Sequence, residues 1–466
     1  MKFLKNKRLK YILLCLILFS ATFVHARLGG GGGSDGGGGS DGGGDGLASL
    51  VFLLIRILGW KGVVIVGIGY FIYQWYTKRK NQNSDSFTGN QFANYSAPIS
   101  VSFPDGLDED KVTTAFLDMQ EAWKEQDLGK VRKWMTDGLY QKLSVQIAMM
   151  QKLAQHNKTD NIRIVNINCV NTYSFRDFHI ADIRIDFVLN DHFYSDKFPS
   201  MNESYTNDSA TEYFTFIRKG YPTDTDDVDL YSGNNCPNCG AALENKMGEI
   251  CRCSNCNTLT NNPEFDWVLS EITQSENYSK ESNLNYNESL LELTQFDDEF
   301  NIQTIEDIAS NITMQILDVI TGGKNIKLER FTEKNIEEYI LEIKKSYNGI
   351  VFDRLYLNEV TTRNFQKVDD KLVFNIYVEA TGKRVKPSGD NLNVLDYSFQ
   401  KFTMNLSLTK TIMTVKREQT DVVYSYECTN CAAPYDDTTH DTCNYCDAVV
   451  VDPSRNWVLS SFKIQF

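Results

Sequence analysis

Two cysteine pairs and a Trp-Val-Leu-Ser sequence, each present twice, decide the fold of this chain. The first copy reads Cys236-Pro-Asn-Cys239, Cys253-Ser-Asn-Cys256 and Asp266-Trp-Val-Leu-Ser270. The second copy reads Cys428-Thr-Asn-Cys431, Cys443-Asn-Tyr-Cys446 and Asn456-Trp-Val-Leu-Ser460. In both copies the tryptophan follows the last cysteine by 11 positions, and the two tryptophans are 190 residues apart. A repeat of this kind indicates two copies of one structural unit.

Each unit begins with amphipathic helices and continues with strands. Helical spacing of apolar residues runs over 112–123 and resumes over 128–143 in the first unit; in the second it runs over 305–319, up to Gly322-Gly323, and over 336–343. Segments rich in β-branched and aromatic residues follow at 162–168, 180–189 and 212–219, and again at 351–360, 372–379 and 402–408. Each Trp-Val-Leu-Ser segment is predicted to be the last strand of its unit. Helices followed by an antiparallel sheet predict an α+β fold with the helices on one sheet face.

The cysteine pairs are typical of zinc ribbons, in which two Cys-x-x-Cys knuckles supply four thiolates to one tetrahedral ion. The predicted ligands are Cys236, Cys239, Cys253 and Cys256 in the first site and Cys428, Cys431, Cys443 and Cys446 in the second. Four cysteines leave no open coordination position, so both zinc ions are predicted to be structural. Gly240 suits the turn after the first knuckle, whereas Ala432 stands at that position in the second site.

Other cysteine chemistries fit the spacing less well. Disulfides are disfavoured because the predicted compartment is reducing, and a thioredoxin-like site needs one pair at a helix start. Four thiolates can hold an iron–sulfur cluster, but this spacing is not that of a ferredoxin. Cys251 has no Cys-x-x-Cys partner and is predicted to be a bystander, while Cys169 is predicted to pack inside a strand.

The N-terminal region carries membrane signals. Five Lys/Arg among residues 1–10 precede an apolar run and Val24-x-Ala26, which is typical of a secretory signal; an uncleaved first anchor is the alternative. Glycine dominates 29–46, without the Lys-Ser/Thr of a phosphate loop, and indicates a solvated linker. The apolar stretch 47–77 then predicts a membrane helix, and Lys78-Arg79-Lys80 places everything after it in the cytoplasm.

Charge supports this division. The chain has 466 residues and a net charge of −14, yet residues 1–80 carry 11 Lys/Arg against 3 Asp/Glu. The remainder therefore has a net charge of −22 (−14 minus +8), and a body this acidic argues against binding to nucleic acid.

Catalytic motifs are not evident in the sequence. None of the five histidines forms a His-Glu-x-x-His motif or lies near a Gly-x-Ser-x-Gly motif. His179 and Asp182 lie near a predicted strand and offer acid–base groups, but a satisfied or surface histidine is the plainer interpretation. Trp123, Trp134, Trp267 and Trp457 are predicted to be core residues, and the protein is predicted not to be an enzyme.

The region 110–143, with Phe116-Leu117, Ala122-Trp123, Asp127-Leu128 and Val131-Arg132, resembles the start of the Tim 44-like domain family. The closing Trp-Val-Leu-Ser strand and the order of signal, glycine-rich segment, membrane helix and cytoplasmic domain fit that family too. The resemblance implies a cone-like fold related to nuclear transport factor 2, an apolar pocket, and membrane-associated work in protein transport or assembly. Two copies, cysteine-rich insertions and the lack of a mitochondrial presequence distinguish this chain, and favour a bacterial inner membrane.

These inferences give a complete domain prediction. It comprises a signal peptide (1–26), a glycine-rich loop (27–46), a transmembrane segment (47–77), a juxtamembrane linker (78–104), a first Tim 44-like domain (105–274) with a zinc ribbon at 234–258, a linker (275–300), and a second such domain (301–466) with a zinc ribbon at 426–448. We expect a single-pass membrane protein whose cytoplasmic domains form a binding scaffold for protein transport or envelope assembly, with a protein partner and a lipid or peptide group in the pocket. A membrane-tethered sensor of a small ligand or lipid, and a pocket enzyme of the cone-fold type, are the alternatives.

Overall fold

The computed structural model of the protein describes residues 24–27, 30–33, 100–220, 229–275, 277–278, 301–323, 328, 331–412, 428, 431, 433, 442–448 and 457–466. The chain divides into two compact units, Met1–Gly33 with Ile99–Phe466, and Ser34–Pro98. The predicted membrane segment 47–77 lies outside the described residues, as do most of the predicted signal peptide and of the linker 275–300. Within the described ranges, no helix is both long enough and apolar enough to cross a bilayer. Near the N-terminus, strand β1 (Val24–Arg27) pairs with β2 (Gly30–Gly33) in an antiparallel arrangement.

The larger unit contains two lobes, the first within residues 105–274 and the second within 301–466. Two helices begin the first lobe. Helix α1 (Glu109–Glu125) starts at Asp108, whose carboxylate accepts a hydrogen bond from the Lys111 amide at 2.7 Å, and it ends at Gln126 in the left-handed conformation. The predicted apolar stripe of α1 is buried. Helix α2 (Asp137–Lys152) is capped by the Thr136 side chain.

The helical pattern predicted over 128–143 is wrong in its first half. Residues Arg132–Trp134 form a single 3₁₀ turn, and α2 begins only at Asp137. Met135 is extended and forms a bridge to Leu269, and the Thr136 amide donates to the Leu269 carbonyl at 3.0 Å. The chain therefore leaves the helical conformation in order to pair with the last strand of the sheet.

The first sheet is antiparallel, in the order β3 (Gln155–Phe175), β4 (Phe178–Ser195), β5 (Glu203–Lys219) and β6 (Val268–Gln274). A 3₁₀ turn at Pro199–Met201 joins β4 to β5. Alternate residues of β4 face the helices, and the rings of Phe187 and Phe116 lie 4.8 Å apart. The helices therefore cover one face of the sheet, as the sequence predicts.

The second lobe repeats this layout. Helices α3 (Ile302–Ile320) and α4 (Lys334–Ser346) precede the antiparallel strands β7 (Val351–Val368), β8 (Lys371–Ser388), β9 (Asn391–Val394), β10 (Gln400–Thr411) and β11 (Val458–Gln465). The sheet order is β11-β10-β8-β7, and β9 pairs with β8. Thr332 bridges to Leu459, and the Glu333 amide donates to the Leu459 carbonyl at 3.0 Å, which matches the contacts of Leu269. The repeated Trp-Val-Leu-Ser segment thus fixes the start of the second helix in both lobes.

One hydrophobic core, shared by the two lobes, contains side chains from both, and a second core lies within the first lobe. Val145 and Met149 of α2 pack in the same buried cluster as the inner faces of α3, β7, β8 and β10. The Gln146 amide donates to the Leu355 carbonyl at 2.7 Å, and the Arg354 guanidinium forms a bidentate pair with Glu203 at 2.7 and 3.2 Å. The predicted α+β class, with two antiparallel sheets, is confirmed, and the two lobes are joined through their cores.

Candidate metal centres

The first cysteine quartet is built on two short turns of the backbone. The Cys236 amide donates to the Ala241 carbonyl at 2.7 Å, and the Gly240 amide donates back to the Cys236 carbonyl at 2.9 Å. The second knuckle repeats this pattern, because the Cys253 amide donates to Thr258 and the Asn257 amide donates to Cys253, both at 2.9 Å. Each turn directs its two sulfurs toward the other turn.

A left-handed residue follows the second cysteine of each described knuckle turn. Gly240 has φ of 71°, Asn257 has φ of 62°, and Asp447 has φ of 55°. Glycine adopts this conformation without steric cost, and Asn and Asp are the side chains that tolerate it best. The sequence prediction for Gly240 is therefore confirmed, and the same backbone requirement explains Asn257 and Asp447.

The sulfur atoms are placed at the spacing of a tetrahedral metal site. All four ligand atoms of each quartet lie within 4.8 Å of one another. In the first quartet Cys236 Sγ lies 3.6 Å from Cys256 Sγ, and Cys239 Sγ lies 3.8 Å from Cys253 Sγ. A zinc–sulfur bond of about 2.3 Å gives a tetrahedron with an edge of about 3.8 Å, whereas a disulfide bond is about 2.05 Å. The residues therefore fit a four-coordinate ion and not a pair of disulfides.

The second quartet has the same geometry. Cys428 Sγ lies 3.5 Å from Cys446 Sγ, and Cys431 Sγ lies 3.7 Å from Cys443 Sγ. The Cys428 amide donates to the Ala433 carbonyl at 2.7 Å, and the Cys443 amide donates to the Ala448 carbonyl at 2.8 Å. The eight predicted cysteines are thus brought together in two groups of four, as the spacing predicts.

Burial divides each quartet into inner and outer sulfurs. Cys236 and Cys253 are buried, whereas Cys239 is exposed and Cys256 is half-buried. Burial raises the pKa of Cys236 to about 12, whereas hydrogen bonds from Thr258 lower the pKa of Cys256 to about 6. The Asn255 amide likewise lowers the pKa of Cys239. Because a metal binds thiolates, Cys239 and Cys256 are the readier ligands of the first site, whereas Cys236 needs the ion in order to stay ionised.

Asparagine side chains cross between the knuckles of the first site. Asn255 Nδ2 lies 3.4 Å from Cys239 Sγ, and Asn238 Nδ2 lies 3.7 Å from Cys256 Sγ and 2.8 Å from Thr258 Oγ1. Each donor precedes the outer cysteine of its own knuckle and reaches the outer cysteine of the other. Sequence reasoning missed these donors, although an amide residue immediately before the second cysteine was a visible signal.

A buried arginine holds the first ribbon on the helices. Arg132 Nη2 donates to the Glu249 carbonyl at 2.7 Å and also pairs with Asp137. Next to this contact, the Met247 amide donates to the Gly129 carbonyl at 2.9 Å. The sequence drew attention to Arg132 only as part of the Tim 44-like resemblance and not as a contact to the ribbon, because a lone arginine after a helix carries no periodic signal.

The remaining residues discussed from the sequence lie outside these centres. The buried Cys251 thiol lies 2.9 Å from Thr260 Oγ1 and is not part of the quartet, and Cys169 is buried in β3. His179 Nδ1 lies 2.8 Å from Ser174 Oγ, and the buried Asp182 accepts a hydrogen bond from Thr215 at 2.8 Å. His179 and Asp182 are three positions apart on β4 and so project from opposite faces of the sheet. The four tryptophans predicted to be core residues are buried.

Comparisons with known proteins add little. No protein-family model matches the chain, and no curated protein matches it. Among solved structures, a chain described as "Ntf2 like protein involved in plasmid conjugation" aligns at 9% identity, over 65% of this chain and 90% of that chain, with a TM-score of 0.13. At that TM-score the alignment carries no argument about fold or function.

Proposed function

We propose that the protein is a membrane-anchored, cytoplasm-facing binding scaffold for protein transport or envelope assembly, with one structural zinc ion in each ribbon. The observation that carries this proposal is the grouping of both cysteine quartets, in which four sulfurs at tetrahedral spacing would fill every coordination position of a zinc ion. An ion held in this way offers no place for a substrate or an activated water. Its contribution is to fold and stiffen the ribbon, which favours a binding role over catalysis.

The proposed setting rests on the sequence. The apolar segment 47–77 is followed by Lys78-Arg79-Lys80, which favours a single span with both lobes in the cytoplasm. That compartment keeps thiols reduced, as two four-thiolate zinc sites require. Anchoring also raises the effective concentration of the lobes for partners at the same membrane.

The proposed family is that of the Tim 44-like domains. Two helices followed by an antiparallel sheet, with the helices on one face, support this assignment for each lobe. A cone-like pocket in each lobe would then receive an apolar group from a peptide or a lipid.

Metal analysis and topology mapping test the setting together. We expect two zinc ions per purified chain and a cytoplasmic signal from reporters fused after Phe466. Absence of zinc, disulfides within the quartets, or an external reporter signal would overturn the proposal.

Photo-crosslinking in the native membrane tests the scaffold role. Tyr397 is the natural position for the probe, because 93% of its surface is exposed, and Leu117, which is 42% exposed, gives a comparison position on the other lobe. We expect discrete adducts with a protein. Adducts with phospholipids or metabolites alone would favour the sensor alternative instead.

A further inference from the structure

The two cysteine quartets share their sulfur geometry but differ in the groups around the sulfurs. In the first site Asn255 directly precedes Cys256, and its amide donates to Cys239 Sγ at 3.4 Å. The residue in the same position of the second site is Tyr445, which directly precedes Cys446. The side chain of tyrosine has no amide group, and 74% of the surface of Tyr445 is exposed; its backbone N–H donates to the inner sulfur of Cys443 at 3.4 Å.

A hydroxyl group next to a sulfur is also present in the first site and missing from the corresponding position of the second. Thr258 lies two positions after Cys256, and its Oγ1 lies 3.3 Å from the sulfur of that cysteine. The corresponding residue, two positions after Cys446, is Ala448, which has no hydroxyl. The second site therefore has neither the side-chain amide nor the hydroxyl that contact the outer sulfurs of the first site.

The charge of the second ribbon also disfavours metal binding relative to the first. We compare the two ribbons from the first ligand cysteine to the second residue after the last one. Residues 236–258 include two acidic and two basic residues, whereas residues 428–448 include four aspartates and no Lys or Arg. One of these is Asp447, in the position that the neutral Asn257 has in the first site. Replacing four thiol protons by one Zn²⁺ makes a site two charges more negative, so a fixed negative charge such as that of Asp447, directly after the ligand Cys446, disfavours metal binding.

From these differences we propose that the sites are graded in zinc affinity. The first ribbon retains its zinc as a structural ion, whereas the second exchanges its zinc with the surroundings. The inference rests on the proposed zinc assignment and goes beyond it by giving the two ions different roles. Groups that donate hydrogen bonds to metal ligands typically change metal affinity by roughly 10–100-fold, which is enough to separate the two sites. The second lobe would then respond to the supply of zinc while the first remains folded.

Zinc release from the purified full-length chain tests the grading. Excess EDTA is added to the two-zinc protein, and the remaining bound zinc is followed by native mass spectrometry and by a chromogenic zinc indicator. We expect two phases of one ion each, with the faster at least roughly tenfold quicker, in line with the effect of lost ligand hydrogen bonds.

Exchanged side chains assign the phases without removing a cysteine. The double variant Y445N/A448T should slow the fast phase, and N255Y/T258A should speed the slow phase. The matched control is Asn245→Ala, because the Asn245 amide contacts Asn234 in the same ribbon and no sulfur contact is involved. This control should release zinc as the unaltered chain does.

The outcomes separate this inference from the function proposed above. Release of both ions at one rate, or a slow phase unaffected by N255Y/T258A, would overturn the grading and leave two structural zinc ions in place. A purified chain that contains no zinc would overturn the metal assignment itself, and the grading with it.

Discussion

At the scale of single residues, the ribbons depend on one backbone conformation. Gly240, Asn257 and Asp447 follow the second cysteine of their knuckles and all have positive φ. The sequence indicated this requirement only at Gly240, because Asn and Asp are common in many kinds of turn and do not by themselves identify a left-handed residue. The hydrogen bonds to sulfur could not be predicted, because they depend on how the two knuckles face each other.

We expect Gly240→Ala to loosen the first ribbon by about 1 kcal/mol, because an L-residue in the left-handed region costs roughly this amount. The control is Gly248→Ala in the same ribbon. No heavy atom lies within 4 Å of an added Cβ at either position, and only Gly240 has positive φ, so the two variants differ in backbone strain. Amide hydrogen exchange over 236–258 measures the change, and equal protection in the two variants would contradict this explanation.

At the scale of the elements, the sequence predicted the order of helices and strands but not where they end. Helix α3 was predicted over 305–319 and extends over Ile302–Ile320. The agreement is close because the apolar stripe indicates the helix and Gly322 indicates its end. Strand β3 was predicted over 162–168 but begins at Gln155, in a polar stretch that pairs with β4. Pairing of this kind depends on the partner strand, and alternation within one strand does not reveal it.

The N-terminus of helix α2, in the first lobe, donates hydrogen bonds to a carboxylate of the second lobe. Asp307 of α3 accepts hydrogen bonds from the Thr136 hydroxyl at 2.7 Å and from the Gly138 amide at 3.0 Å, at the N-terminus of α2. Burial raises the pKa of Asp307 to about 7. The folded protein therefore binds this proton more tightly than the unfolded chain, whose aspartates have a pKa near 3.9.

Stability should consequently decrease as the pH rises from about 4 to about 7, by at most about 1.4 kcal/mol per pH unit from this carboxyl group. We expect Asp307→Asn, which stays neutral, to reduce this slope in urea unfolding measured at several pH values. Asp390→Asn, at an exposed turn, should leave the slope unchanged. An identical pH dependence in Asp307→Asn and the unaltered protein would show that this carboxyl group does not titrate in the window.

At the scale of the whole molecule, the sequence predicted two tandem domains, and the structure joins them through one helix. Leu143 and Ile147 of α2 pack in the core of the first lobe, whereas Val145 and Met149 pack in that of the second. Apolar residues on two faces of α2 were a signal of burial between two layers. Which layer lies on the second face could not be predicted, because that depends on contacts between distant parts of the chain.

We expect Met149→Ala to weaken both lobes together. Met149 is 2% exposed in the shared core, and truncating such a residue costs about 2–5 kcal/mol. Hydrogen exchange in β4 and β8 should show lower protection in both sheets, whereas Leu117→Ala on the exposed side of α1 should change little. Loss of protection in one sheet alone would show that the lobes open independently.

The shared core also has a consequence for synthesis on the ribosome. The first lobe is complete once β6 has emerged, but the face of α2 that carries Val145 and Met149 waits for α3. At a translation rate of about 5–20 residues per second, the ribosome takes about two to nine seconds to add residues 275–320. During that interval the nascent chain presents an apolar helix face to the cell, and a chaperone that bound this face would protect it until α3 is made.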